Sequence, residues 1–179
     1  MSYPYLVSTL PMLGIDKEPP MSLEAFVELC REQMCGADFE ELEALLFVDE
    51  KPASSSFVRE WRAAETQLRN AVARARAAKL DGADAGKWLK SHSGFDVVLE
   101  NGVAAAFQER NPAQRQRLLD QLLWDKAAEL AGFDEFTKEA IFAYAIQLRI
   151  CNIRSSQADS EKGAARLAAV AQCKHLNIL

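Results

Sequence analysis

The 179-residue sequence predicts an all-α fold, an elongated bundle of about seven or eight helices with a short extended N-terminal arm. Three observations predict it. Apolar residues recur at steps of three and four over most of the chain. Helix start and stop residues bracket those stretches. Only residues 3–10, Tyr-Pro-Tyr-Leu-Val-Ser-Thr-Leu, look like strand, and Pro11 ends them. A lone strand is not stable, so this stretch reads as an extended arm against the helices, with a two-stranded pairing as the alternative.

The elements follow in order. Pro19 and Pro20 cannot lie inside a helix, so residues 14–20 form a turn. Ser22 is placed to cap the next helix, which carries Leu23, Phe26, Val27, Cys30 and Met34 on one face, and Gly36 stops it. Asp38 with Glu41 reads as a capping box before the stripe Phe39, Leu42, Leu45 and Leu46. Residues 49–55 are a polar connector. A long helix runs from about Ser56 to Lys79 with a heptad-like seam of Phe57, Trp61, Ala64, Leu68, Ala71, Ala75 and Ala78. It would span about 35 Å. Asp81-Gly82 ends it.

Gly82, Gly86 and Gly94 break the pattern over 81–96, leaving a short helical turn around Trp88. Residues 95–108 read as a weak helix because Gly102 lies inside. Asn111 as cap and Pro112 at the first position open the next helix, with Leu119, Leu122, Leu123, Ala127 and Leu130 inward and Gly132 as stop. Asp134 opens a second long helix, to about Ser156. Its stretch Ala140–Ile146 is apolar all round, as in the middle of a bundle. A last Ala-rich helix covers 159–173. No linker divides the chain, so residues 1–179 read as one domain; two similar lobes, 1–82 and 83–179, are the alternative. Glu65-Thr-Gln-Leu-Arg-Asn70 is faintly echoed by Ile146-Gln-Leu-Arg149 and Asn152-Ile-Arg154.

Charge and composition narrow the function. Net charge is −5, so duplex nucleic acid is not an expected partner. The N-terminus has no signal-peptide pattern, and the longest apolar run, Ala140–Ile146, is far short of a bilayer span of about 20 residues. Four cysteines without a signal point to free thiols in a reducing cytoplasm. The glycines form no phosphate-binding motif, and no cofactor is expected. Cys30 and Cys35 have no second pair at finger spacing, and Cys173 with His175 is two ligands where zinc needs three or four, so no metal is expected. Cys30 and Cys151 read as core residues, His92 as a solvated loop residue, and Asp49, Glu50, Asp134 and Glu135 as connector or helix-start acids. No catalytic residue is assigned. Arg69, Arg74, Arg76 and Lys79 form a basic patch, with Arg69 and Arg76 one heptad apart. It reads either as a solvated face with a Glu65–Arg69 pair or as a contact for an acidic partner or membrane surface.

Two stretches carry a resemblance. Tyr5-Leu-Val-Ser-Thr-Leu-Pro-Met-Leu13, followed by Pro19-Pro-Met-Ser-Leu-Glu24, resembles a bacterial family encoded among the genes of V-type ATPase subunits. Glu65-x-x-Leu68-Arg-Asn70 with Arg74-x-Arg76-Ala-Ala-Lys79 is similar to a helix of the socket component of V-type ATPases, termed C in bacterial and archaeal enzymes and d in eukaryotes. Asn152-Ile-Arg154 is similar to the same motif in a second bundle. That component is an all-helical socket between the rotor shaft and the membrane ring. It is longer than this chain and has a third bundle, for which there is no room here. The resemblance implies a non-catalytic accessory or central-stalk-like component of a bacterial V-type ATPase. Its partners would be other subunits of the rotor shaft or membrane ring, and its place cytoplasmic, peripheral at the inner face of the cell membrane. The contact residues implied are Arg69, Asn70, Arg74, Arg76, Lys79, Asn152 and Arg154, with Trp61, Leu68, Phe142 and Tyr144 stiffening the bundle. The alternatives are an ATPase assembly factor, a general helical protein–protein adaptor, or an enzyme joining Cys151 or Cys173 to His175 in space.

Overall fold

Ser22, Ser55, Asp96 and Asn111 each turn a side-chain oxygen onto a backbone N–H of the turn that follows, and a helix starts after each of them. The computed structural model describes residues 2–47, 55–80, 84–158 and 163. Among these the order is α1 Pro4–Thr9, α2 Leu23–Gln33, α3 Gly36–Phe47, α4 Ser56–Ala77, a 3-10 turn Ala85–Trp88, α5 Val97–Ala106, α6 Pro112–Ala131 and α7 Lys138–Ala158. The fold is all-α. The long helices start and stop close to the predicted positions. Gly132, at φ +74°, closes α6 in a conformation that side chains rarely adopt. The Ala-rich helix expected over 159–173 and most of the 49–55 connector lie outside the described residues.

Four local expectations are corrected. The arm is a helix, not an extended segment. Pro4 presets the first helical φ, and six residues with no neighbouring strand among the described residues satisfy more of their backbone by coiling. What remains of the strand pairing is a single antiparallel bridge, Ser2 to Thr137, with Tyr3 N donating to the Phe136 carbonyl at 2.6 Å. Gly36 opens α3 instead of ending α2, which stops at Gln33. Asp38 is therefore inside α3 and does not cap it. Asp134 holds a turn before α7 by accepting from Phe136 N at 3.0 Å, and the Thr137 hydroxyl accepts from Ala140 N at the helix start.

Burial divides the described residues into two apolar cores. The larger joins Leu6, α2, α3, the first turns of α4, Ala127 of α6 and the middle of α7, where Phe57 meets Phe142 edge-on at 5.7 Å. The smaller joins Ala64, Leu68 and Ala71 of α4 to Leu99, Val103 and Ala106 of α5 and Leu119 of α6. Both α4 and α6 run through both cores. At Gly102 α5 lies so close to α6 that an added Cβ would overlap the Leu122 methyls.

The arm is fastened by a charged cluster. The Tyr3 hydroxyl donates to Asp38 at 2.5 Å, and Lys138 Nζ donates to Asp38 and to Glu41, each at 3.0 Å. Burial would raise the Asp38 carboxyl, but hydrogen bonds from Tyr3 and Lys138 outweigh it and hold Asp38 below its usual value. Burial also pushes the Tyr3 hydroxyl up, so it stays protonated and remains a donor.

These contacts set the response to substitution and to acid. Gly102→Ala should destabilise the protein by about 1–3 kcal/mol instead of gaining about 1 kcal/mol of helix propensity, and Leu122→Ala in the same chain should cancel the excess. Urea unfolding of the two single variants and the double variant checks this. Because Asp38 is depressed in the folded state, its contribution is complete above the ordinary carboxylate value near pH 4 and is lost as pH falls through the folded value. The thermal-stability gap between wild type and Asp38→Asn should stay level from about pH 8 to about pH 5 and close below about pH 4. A gap that widens in acid would contradict this account.

Candidate functional site

The segment between the 3-10 turn and α5 has almost no core of its own, and two amides of α4 hold it. Gln67 and Asn70 lie three residues apart on the helix and are buried. Asn70 donates to the Lys90 carbonyl at 2.7 Å and accepts from Lys90 N at 3.0 Å. Gln67 does the same to Asp96, donating to its carbonyl and accepting from its N–H, both at 2.8 Å. Each side chain thus makes the pair of bonds that a neighbouring strand would make. Lys126 of α6 reinforces the second clasp by donating to the Asp96 carboxylate at 2.8 Å, and that bond is the main reason Asp96 lies below its usual value.

These clasps place Trp88 and Lys90 beside the outer face of α4. A cleft of about 300 Å³ opens there, with Arg62, Glu65, Arg69, Trp88 and Lys90 among its walls. Three cations and one carboxylate line it. Glu65 receives Arg69 at 2.9 Å and Arg149 of α7 at 3.8 Å, so the echoed motif segments meet at this carboxylate. Arg62 donates to the Ala44 carbonyl. Trp88 is 76% exposed and offers an aromatic face beside the cations. Such a surface suits a carboxylate-bearing segment: forked guanidinium donors take the carboxylate and the indole takes an apolar or aromatic neighbour.

The seven residues singled out in the sequence have different surroundings. Arg69 and Asn70 are at the cleft, Arg69 62% exposed at its side chain and Asn70 buried in its clasp. Arg76 is exposed along the same helix with no partner among the described residues. Arg74 pairs with Glu100 of α5. Lys79 donates to the Phe107 carbonyl at 3.1 Å and lies over the Phe107 ring. Asn152 donates to the Met21 and Leu148 carbonyls, at 3.3 and 3.0 Å. Arg154 ties α7 to the turn before α2 and to α6, through the Ile15 carbonyl, Asp16 and Asp120. Asn152 and Arg154 thus sit among residues 15–21 and share no contact with the α4 cleft. Sequence reasoning missed Gln67, Trp88, Lys90 and Arg149. Gln67 had a legible signal, a polar residue on the seam side of the long helix next to Leu68.

Burial pushes the Cys30 thiol up to about 12, which keeps it protonated and unreactive at neutral pH. Cys151 is also raised by burial, and its sulfur lies 3.6 Å from the Gly14 carbonyl. His92 is half-buried, not solvated as expected, with Nδ1 shielded from solvent and unpartnered. Cys173 and His175 lie outside the described residues. No group of three or more His, Cys, Asp or Glu side chains among the described residues is arranged to hold a metal ion. No helix among them is long and apolar enough to cross a membrane.

The clasps give a sharp expectation. Asn70→Ala should cost about 1–3 kcal/mol, because the Lys90 backbone groups lose their partners, and should speed amide exchange at Lys90. Arg76→Ala should change stability by no more than about 0.5 kcal/mol. Denaturant unfolding and hydrogen exchange distinguish the two.

Residues 26–172 match the family described as "Protein of unknown function (DUF2764)", and the chain belongs to that family. Neither a curated protein nor a solved structure matches it.

Proposed function

We propose that this family member is a non-catalytic helical adaptor, an accessory or central-stalk-like component of a bacterial V-type ATPase that grips a partner protein through α4. One observation carries the adaptor part of the reading. A 22-residue helix is anchored along its length in both cores, yet it presents Arg69 and Arg76 outward beside a cationic, Trp88-walled cleft. A rod fixed at both ends transmits force or fixes spacing without bending, and an outward basic strip on a chain of net charge −5 favours an acidic segment. The V-type ATPase as the partner rests on the resemblance of the N-terminal segment and of the Glu65–Lys79 helix. In this reading the protein is cytoplasmic and reaches the inner face of the cell membrane only through its partners.

Affinity purification of the full-length chain from gently solubilised native membranes tests the proposal. The expected result is recovery of V-type ATPase subunits at a fixed ratio to the chain. Arg69→Glu with Arg76→Glu should leave thermal stability within about 1 kcal/mol of wild type while removing the subunits from the eluate. An intact, active ATPase that contains none of this chain would refute the stalk role. Substoichiometric recovery confined to partly assembled complexes would make the chain an assembly factor. An unchanged complex with the double variant would remove the α4 strip from the account.

A further inference from the structure

A second surface lies away from the α4 cleft, where residues 10–13 pass over the junction of α6 and α7. It is a groove of about 540 Å³. Small residues make its floor: Ala128 and Ala131 near the end of α6, and Ala140 and Ala143 at the start of α7. Leu10 and Leu13 build one wall, held by the Tyr144 hydroxyl donating to the Pro11 carbonyl at 2.9 Å. Met12 on the lip is 91% exposed, and Phe133, next to Gly132, is wholly exposed. An unbranched methionine over a floor of alanines is an adaptable apolar contact.

The charge around the groove is one-sided. Its lining contains Asp134 and Glu135 and no cation. Lys138, the nearest lysine in the chain, is drawn to Asp38 and Glu41, so it does not neutralise this rim. Asp134 has a backbone N–H as its partner, and Glu135 is exposed with no partner among the described residues. A trough with an alanine floor, apolar walls and an acidic rim is complementary to a helix with an apolar stripe and basic flanks.

We propose that this groove receives an amphipathic helix of a partner protein. Apolar side chains at helical spacing lie along Ala128, Ala131, Ala140 and Ala143 while Lys or Arg residues on the helix flank meet Asp134 and Glu135. The inference rests on this surface alone and goes beyond the adaptor reading, whose test at Arg69 and Arg76 leaves it untouched.

The test uses the full-length chain and a labelled helical peptide of about 18 residues, or five turns, with a Leu/Ala stripe flanked by lysines. A second peptide carries glutamates in place of the lysines. Fluorescence anisotropy should show the lysine peptide binding at least about tenfold more tightly than the glutamate peptide. Met12→Lys, at an exposed position that leaves folding intact, removes the apolar contact and adds a like charge, so it should weaken binding of the lysine peptide by at least about tenfold, and Glu135→Lys should shrink or invert the preference. Equal binding of both peptides, no binding, or binding indifferent to Met12→Lys would overturn the proposal. A photo-crosslinking residue at position 12 in native cells then identifies the occupant. Attachment to a basic-flanked amphipathic segment of another protein supports the proposal. Attachment to a second copy, to this chain's own residues beyond 158, or to lipid overturns it.

Discussion

The arrangement depends on α4 being shared, with α6, by two cores. Phe57, Val58 and Trp61 at the start of α4 are buried with α2, α3 and α7, whereas Ala64, Leu68 and Ala71 are buried with α5 and α6. The change of partner occurs within one turn, between Trp61 and Ala64. The alanines matter there because they bring a neighbouring helix close without large side chains to displace. Tilting α4 would disturb both cores together, so its outer face keeps a fixed relation to both. Everything attached to that face inherits the constraint, including the Gln67 and Asn70 clasps and the cleft they shape.

The same economy governs the charges. Lys138 holds α7 to α3, Lys126 holds α6 to the loop before α5, and Arg154 holds α7 to the turn before α2 and to α6. Each is mostly shielded from solvent and joins elements distant in sequence, where removing one partner costs more than at an exposed site because the remaining charge is left uncompensated. Drawing these cations inward alters the surface they leave. The α6–α7 junction keeps an acidic rim, while Arg69 and Arg76 stay exposed along α4. Among the described residues, a chain of net charge −5 thus carries a basic strip along α4 and an acidic rim at the α6–α7 groove.

The elements were legible because their signals are local. Ser22, Asn111-Pro112 and Gly132 punctuate helices through backbone groups within one turn, and the stripe Phe57–Trp61–Ala64–Leu68 follows from helical geometry alone. Misreadings came where the local signal was ambiguous. Tyr3–Leu10 has the composition of a strand, but Pro4 and the lack of a neighbouring strand among the described residues favour a helix. Asp38 has the spacing of a cap, but its carboxylate is claimed by Tyr3 and by Lys138, 100 residues away.

By itself the sequence determined an all-helical chain, a long seamed helix from about Ser56 to Lys79, which the structure ends at Ala77, and a basic patch that includes Arg69 and Arg76, because periodicity, capping and charge need no knowledge of distant residues. Only the tertiary structure decided what the polar residues do. Asn70 and Asn152 look alike in sequence, yet one clasps a backbone 20 residues away and the other reaches a carbonyl 131 residues away, so neither side-chain amide points freely into solvent. A buried amide must find hydrogen-bond partners, and where the fold brings a loop to it, that loop takes the bonds a binding partner would otherwise have received.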